Sequence, residues 1–397
     1  MTTAPPRSGG RFAFSYPQLH ESTFEATHAG FAQTFAGMMH NPSAFTLWLR
    51  AGADPRLLNP GGVFMKHINI RTIDSTQEDS QIEGRLPYTW VKTYHPEWVL
   101  RDVFNNPVRL FLPTEEALDF GNPALLDYVM NTWLPQYVMD STDSDPARVT
   151  WFMQDEGVFT RMFINCGAGD TVCERYNSNE GVQSAWEAFL DAFHARWPNK
   201  RMAINTGPLD YVPTHDQMAF FTRVMSKADG YYSESLTNDG TYWDVDPNDS
   251  KRTALLTTMA FASWLADSNK VFFPNIGVTM AEEPTQTQVD YAWAFFNLMR
   301  RGDLQMFSVI TKMGRQWIPR HYPEMDLDLG APIENATEVY PNVWRRQFTN
   351  AIAYVNFSDG PVSIELPPGA FRTSVGATVT SPMTLGSFAG LTVYQSN

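Results

Sequence analysis

Cysteine is almost missing from this chain: two in 397 residues, Cys166 and Cys173. With no neighbouring histidine, they do not make a zinc site. Charged residues are also sparse at 18%, well below what a solvated or disordered chain carries. No run of lysine or arginine occurs. With 29 basic against 43 acidic residues and a net charge of −14, the chain lacks the basic face that nucleic-acid binding needs. No segment approaches the ~20 apolar residues of a membrane span, so neither nucleic acid nor membrane is an expected partner. There is no Gly-rich phosphate loop of the Walker or dinucleotide type and no GxSxG elbow. The eight histidines are scattered without metal-ligand spacing, so no metal and no cofactor are expected.

What is present is apolar and aromatic. The hydrophobic fraction is 43%, enough for a full-sized core, and 397 residues suit one large domain plus an accessory module. The 12 Trp, 15 Tyr and 27 Phe are mostly core by nature, but aromatic faces also serve as platforms for sugar rings. Eight strand-like segments recur: 12–16, 33–38, 63–71, 149–155, 200–206, 229–234, 270–275 and 304–309. Between them, "GVQSAWEAFLDAFHARW", "THDQMAFFTRVMSKA", "SKRTALLTTMAFASWLAD" and "TQTQVDYAWAFFNLMRRG" repeat apolar residues at three- and four-residue spacing. Alternating strands and helices predict a parallel sheet, and eight units predict a (β/α)₈ TIM barrel, fold class α/β.

The third βα connection, about 74–122, is long. It reads as an elaborated loop feeding a helix, with Asn122 as N-cap and Pro123 in the first turn. From Val343 the pattern becomes short alternating strands with turns, a small antiparallel β-sandwich-like domain that needs to pack on the barrel. The expected domains are a flexible leader over 1–10, a catalytic barrel over 11–335 and a β-domain over 336–397, as a monomer or homodimer. The leader has no apolar h-region, which fits either a cytoplasmic protein or a chain that starts after a removed signal. Gly167 and Gly169 would let Cys166 and Cys173 close a short disulfide, favouring a secreted or periplasmic location; a pair of free thiols is the alternative.

In a barrel of this kind the chemistry sits at the C-terminal strand ends. Two strands end in acids. The fourth ends "VTWFMQDEGVF", bringing Asp155 and Glu156 to the rim, and the sixth ends "DGYYSES", bringing Glu234. Adjacent strand residues face opposite sides, so Asp155 and Glu156 do not share a face and the phase of the strand decides between them. Two carboxylates across a cleft are what glycoside hydrolysis requires. Tyr16, His67 (or Asn69), Asn205 and Asn275 lie at other strand ends and can bond sugar hydroxyls. Trp98 and His95 in the long loop are subsite candidates, and Asp119 either reaches the cleft or helps cap the following helix. As acid/base, Glu234 is expected to have a raised pKa, helped by an apolar setting such as Tyr231 and Tyr232; Tyr232 is also a substrate-contact candidate. A neutral or cationic glycan suits the net charge, whereas a polyanionic one would need a local basic cleft.

The motifs "FAFSYPQLHESTF", "HPEWVLRD", "LDFGNP", "WFMQDEGVF", "INTG", "DGYYSES" and "DLGAPIENATEVYPNVWRRQFTNAIAYVNFSD" follow in order from Arg11 nearly to the end. In that order and spacing the chain resembles the TIM barrels of hypothetical glycosyl hydrolase family 15. It is more distantly similar to polygalactosaminidase-type and α-galactosidase-like barrels. The resemblance implies a fourth-strand aspartate as nucleophile and a later-strand acid as acid/base, here Asp155 and Glu234. The fourth strand reads Gln-Asp-Glu rather than an Asp-rich ending, which keeps Glu156 open. The expected function is a retaining glycosidase acting on a poly- or oligosaccharide. A catalytically inactive barrel that binds glycans is the alternative. A lyase or isomerase would want a metal cluster or a strand-end lysine, which the sequence lacks.

Overall fold

The computed structural model of the chain describes residues 13–14, 37–40, 63–76, 84–102, 104–110, 112–138, 151–155, 176, 178–205, 215–237, 250–276, 284–301, 305–313, 316–320 and 322–396. Its first strands are β1 (Ala13–Phe14), β2 (Gly37–His40) and β3 (Val63–Ile68), followed by a short pair, β4 (Thr72–Asp74) and β5 (Glu115–Ala117). Then come β6 (Trp151–Gln154), β7 (Arg201–Asn205), β8 (Gly230–Thr237), β9 (Val271–Ile276), β10 (Ser308–Met313) and β11 (Gln316–Arg320). One sheet runs β1-β2-β3-β6-β7-β8-β9-β10-β11. It is parallel from β1 to β10, and β11 returns antiparallel on β10. All eight expected strands are there in chain order, and β1 also lies beside β10 and β11. The antiparallel β11 is an addition that the sequence reading did not anticipate. The third strand, expected to reach Arg71, stops at Ile68.

Both faces of this sheet are covered, which is why its strands read as near-continuous apolar runs. Alternate residues divide between two clusters. Met65, Trp151, Met153, Ala203, Tyr232, Val271, Phe273 and Met306 pack together on one face. Phe152, Met202, Ile204, Tyr231 and Phe272 join the larger cluster formed with the helices. This period of two fixes which strand-end residues share a face.

The helices are α1 (Tyr88–Tyr94), α2 (Pro123–Tyr128), α3 (Asn179–Arg196), α4 (His215–Lys227), α5 (Ser250–Asp267) and α6 (Gln286–Met299). In α3 the stripe Val182, Trp186, Phe189, Leu190 and Phe193 is wholly buried, the spacing of a single helical face. Ser178 caps this helix through Gly181 N, and Thr285 and Gln288 form a capping box on α6. Asn122 caps α2 with Pro123 in its first turn, as the sequence predicts. That helix runs on into a π-helical stretch, Val129–Val138. Among the described residues no helix is long and apolar enough to cross a membrane.

The C-terminal region is an antiparallel sheet domain. Its strands are β12 (Thr337–Tyr340), β13 (Val343–Gln347), β14 (Ala351–Asn356), β15 (Val362–Ile364), β16 (Phe371–Arg372), β17 (Thr378–Val379), β18 (Met383–Leu385) and β19 (Ala389–Gln395). Six form one sheet in the order β12-β13-β14-β19-β16-β17, and β15 pairs with β18. Ile352 and Tyr354 of β14 face a small core with Val343, Phe371 and Val393. Ala351, Ala353 and Val355 face the cluster containing α6. Gly390 lies so close to α6 that a Cβ there would sit 3.0 Å from Ala294 Cβ and from Tyr291 Cα. Arg346 donates to the carbonyls of Asn297, Leu298 and Arg300, satisfying acceptors that the end of α6 leaves open.

Candidate active site

Strands β3, β6 and β7 are neighbours, and three predicted residues meet at their C-terminal ends. Asp155 follows β6 directly, two and four positions beyond Met153 and Trp151 of the sheet-face cluster. Its backbone N–H donates to Ile68 O at 2.8 Å, so the β3–β6 ladder extends to it. His67 Nε2 lies 2.9 Å from Asp155 Oδ2, and Asn205 Nδ2 donates to Asp155 Oδ1 at 2.8 Å. His67 is 0% exposed and the Asp155 side chain 16%; Asn205 is buried. An ionised carboxylate only accepts, so the ring proton of His67 belongs on Nε2. Both oxygens of Asp155 are thus held by buried donors. Donors to each oxygen favour the charged carboxylate.

The ends of β3 and the following turn are held by backbone geometry. Asn69 N donates to Gly84 O at 2.8 Å, and Asn69 Oδ1 accepts from Arg71 N at 3.0 Å. Gly84 has φ +63°, and a Cβ there would lie 2.5 Å from His67 O. Only glycine fits both that conformation and that approach. Sequence reasoning missed Gly84, because one glycine in "IEGRLP" carries no mark of what it will touch.

Other predicted residues are placed differently. Trp98 is 2% exposed. Its ring stacks on His95 with centroids 3.8 Å apart, and Trp90 and Tyr128 close the cluster. Expected to offer a face to a ligand, Trp98 instead packs inside the third connection. The Asp119 carboxylate accepts from the Tyr176 hydroxyl at 2.8 Å, and that hydroxyl accepts from Gly121 N. Burial pushes the Tyr176 hydroxyl far up, and the Asp119 charge adds to this, so Tyr176 stays a neutral donor. Arg71, buried beside them, lies over the Phe120 ring at 4.2 Å. Tyr232 is buried in the sheet-face cluster, beside Asn205 in the β7–β8 register. Glu234 and Asn275 belong to β8 and β9, but their side chains lie outside the described residues. So do Tyr16, Glu156, the 1–10 leader, Cys166 and Cys173. Among the described residues no group of three or more His, Cys, Asp or Glu is placed to hold a metal ion.

The fold is shared with carbohydrate-active enzymes. The chain is similar to an α-amylase from Lactobacillus plantarum, with a TM-score of 0.54 and 10% identity over 98% of this chain and 99% of that one. It is also similar to Amy13B from Eubacterium rectale, with a TM-score of 0.53 and 9% identity over 100% and 97% of the chains. A third similarity is to a family 36 α-galactosidase from Geobacillus stearothermophilus, with a TM-score of 0.50 and 11% identity. It covers 98% of this chain and 56% of that one. A search of curated proteins finds no match. Residues 89–352 match the profile of hypothetical glycosyl hydrolase family 15, and the chain belongs to that family. It is therefore a glycosidase with a parallel central sheet and a C-terminal antiparallel sheet domain.

Proposed function

We propose that this glycosidase is a retaining enzyme acting on a poly- or oligosaccharide, with Asp155 as nucleophile and Glu234 as acid/base. The reading that goes with it is a closed (β/α)₈ barrel over 11–335, with 336–397 as an accessory domain. Eight parallel strands in chain order, with β1 beside β10, support closure.

The observation that carries the mechanism is the double clamp on Asp155. A carboxylate whose oxygens are taken up by His67 and Asn205 donors suits an attacking anion and not a proton donor. In the first step an Asp155 oxygen bonds the anomeric carbon and the glycosidic C–O bond breaks. The leaving oxygen takes the Glu234 proton. In the second step water gives a proton to Glu234 and its oxygen displaces Asp155, restoring both carboxyl groups. Retention requires the two carboxyl groups ~5–5.5 Å apart. Tyr16 and Asn275 are the proposed sugar contacts around them. A polymer substrate suits a secreted or periplasmic location, which a Cys166–Cys173 disulfide would reinforce.

The test is a broad polysaccharide panel with the first-formed anomer followed by NMR. Wild type should release a product of the substrate's own anomeric configuration. Asp155→Asn and Glu234→Gln should lose nearly all turnover with an unchanged fold. Inverted product, or near-normal turnover by Asp155→Asn, overturns the assignment.

A further inference from the structure

Where β3 and β6 part, a side chain takes over from the backbone. The regular pairing of the two strands ends at Ile68 and Gln154, and Asp155 N still donates to Ile68 O. In an unbroken parallel ladder the next rung would run from Ile70 N to Asp155 O. Here the carboxamide of Gln154 is inserted into that rung. Ile70 N donates to Gln154 Oε1 at 3.2 Å, and Gln154 Nε2 donates to Asp155 O. The two partners fix which way the amide points, because a backbone N–H needs the oxygen and a backbone carbonyl needs the nitrogen. Gln154 is wholly buried.

We infer that Gln154 is a positioning residue for Asp155: its amide serves as a spacer that spreads β3 from β6 by one hydrogen-bonding group, and so sets how far Asp155 stands from His67. This rests on the reading of Asp155 as nucleophile. The nearest replacements lose part of this arrangement. Asparagine is one methylene short, methionine fills the volume without either bond, and glutamate can bond both partners only when protonated, its O–H to Asp155 O and its C=O to Ile70 N. Ionised, glutamate sets a negative charge against the Asp155 carbonyl. Burial disfavours that charged form, so a glutamate here holds its proton to higher pH than usual.

The experiment uses the full chain with Gln154→Met and Gln154→Glu. The first readout is the ¹⁵N signal of His67 in histidine-labelled protein, assigned by its loss in His67→Phe, which needs no substrate. The second is turnover of a panel of activated aryl glycosides. Gln154→Met should shift the His67 ring-nitrogen signals and lower kcat by about 10²-fold, the penalty of an ångström-scale misplacement, with KM changed little. Gln154→Glu should be as impaired at neutral pH and should recover towards wild type, in both readouts, as the pH is lowered. Wild-type His67 signals in Gln154→Met, or an impairment of Gln154→Glu that is the same at every pH, overturns the inference. If Gln154→Met does not fold, the pH recovery of Gln154→Glu decides. If Asp155→Asn keeps its turnover while Gln154→Met still moves the His67 signals, the nucleophile reading falls and the spacer stands.

Discussion

Two of the places where the molecule buries polar groups do so for different reasons. At the joint between α6 and the C-terminal sheet the facing residues are small: Ala294, Ala351, Ala353 and Gly390. The buried guanidinium there, Arg346, answers three backbone carbonyls that the helix end leaves open. Burial lowers its pKa to about 10, with Arg301 and Arg300 adding to the effect, and it still carries its charge at neutral pH. At the ends of β3, β6 and β7, by contrast, the Nε2 of His67 and the amide of Asn205 meet no backbone acceptor in these bonds; both converge on one carboxylate. Polar groups buried to satisfy the chain identify a structural joint. Buried donors that converge on one carboxylate are what the proposed nucleophile needs.

That contrast is broken most severely by removing the charge itself. Asp155→Asn should lower kcat by roughly 10⁴- to 10⁶-fold, the range seen when one member of a covalent catalytic unit is lost. The melting temperature should stay close to wild type, because the asparagine keeps the shape and one acceptor oxygen. Next comes the clamp. His67→Phe keeps the ring volume and removes the donor to Asp155 Oδ2, while Asn205 still donates to Oδ1; kcat should fall by about 10²-fold, measured on the same substrate. At the joint the ranking reverses. Gly390→Val pushes a side chain against Ala294 and the Tyr291 backbone, and overpacking of this sort destabilises by about 1–3 kcal/mol. Calorimetry should show a melting temperature lower by several degrees, with kcat/KM of the folded enzyme unchanged. A Gly390→Val enzyme that melts normally but turns over slowly would erase the distinction between the two regions.

Much of this was legible in the sequence, and what was not has identifiable causes. The eight parallel strands could be read because both faces are buried, which turns segments such as Trp151–Met153 and Val271–Phe273 into apolar runs. Helix α5 spans the same 250–267 that its spacing predicts. Three members of the candidate site, His67, Asp155 and Asn205, were found because each is a polar residue at the end of such a run. The phase that separates Asp155 from Glu156 was out of reach, since it depends on Trp151 and Met153 facing the sheet cluster. The third connection was the least readable. Glu115 and Glu116 look like solvated acids, but they are buried in β5 because Arg85 and Lys92 meet them at 2.8 and 2.6 Å. Partners 24 and 30 residues away leave no local pattern. Trp98 misled in the opposite way: an aromatic in a loop suggests a platform, and Trp90, His95 and Tyr128 use it as core.

The joint also holds a titrating carboxyl, Asp290, and this gives the smallest effect. Glu324 is buried, with Oε1 accepting from Gln286 Nε2 and Ser374 Oγ. Burial pushes the carboxyl of Asp290 up to about 6; Gln286 opposes this by donating to it, and the nearby Glu324 reinforces it. A carboxyl raised above its ordinary value stabilises the fold in its protonated form. That contribution is complete below about pH 3.8 and is lost as pH rises through about 6. Asp290→Asn keeps an acceptor for Gln286 and cannot ionise, so it should not suffer that loss. Tyr394 and Glu324 share this corner and are present in both proteins. Thermal melts at pH 5 and pH 7 should therefore show wild type slipping relative to Asp290→Asn by about 1–3 °C, less than a fully buried group would give because Asp290 is partly open to water. An identical shift in the two proteins would mean that the joint does not titrate in this range, and the small residues alone would then account for how it holds.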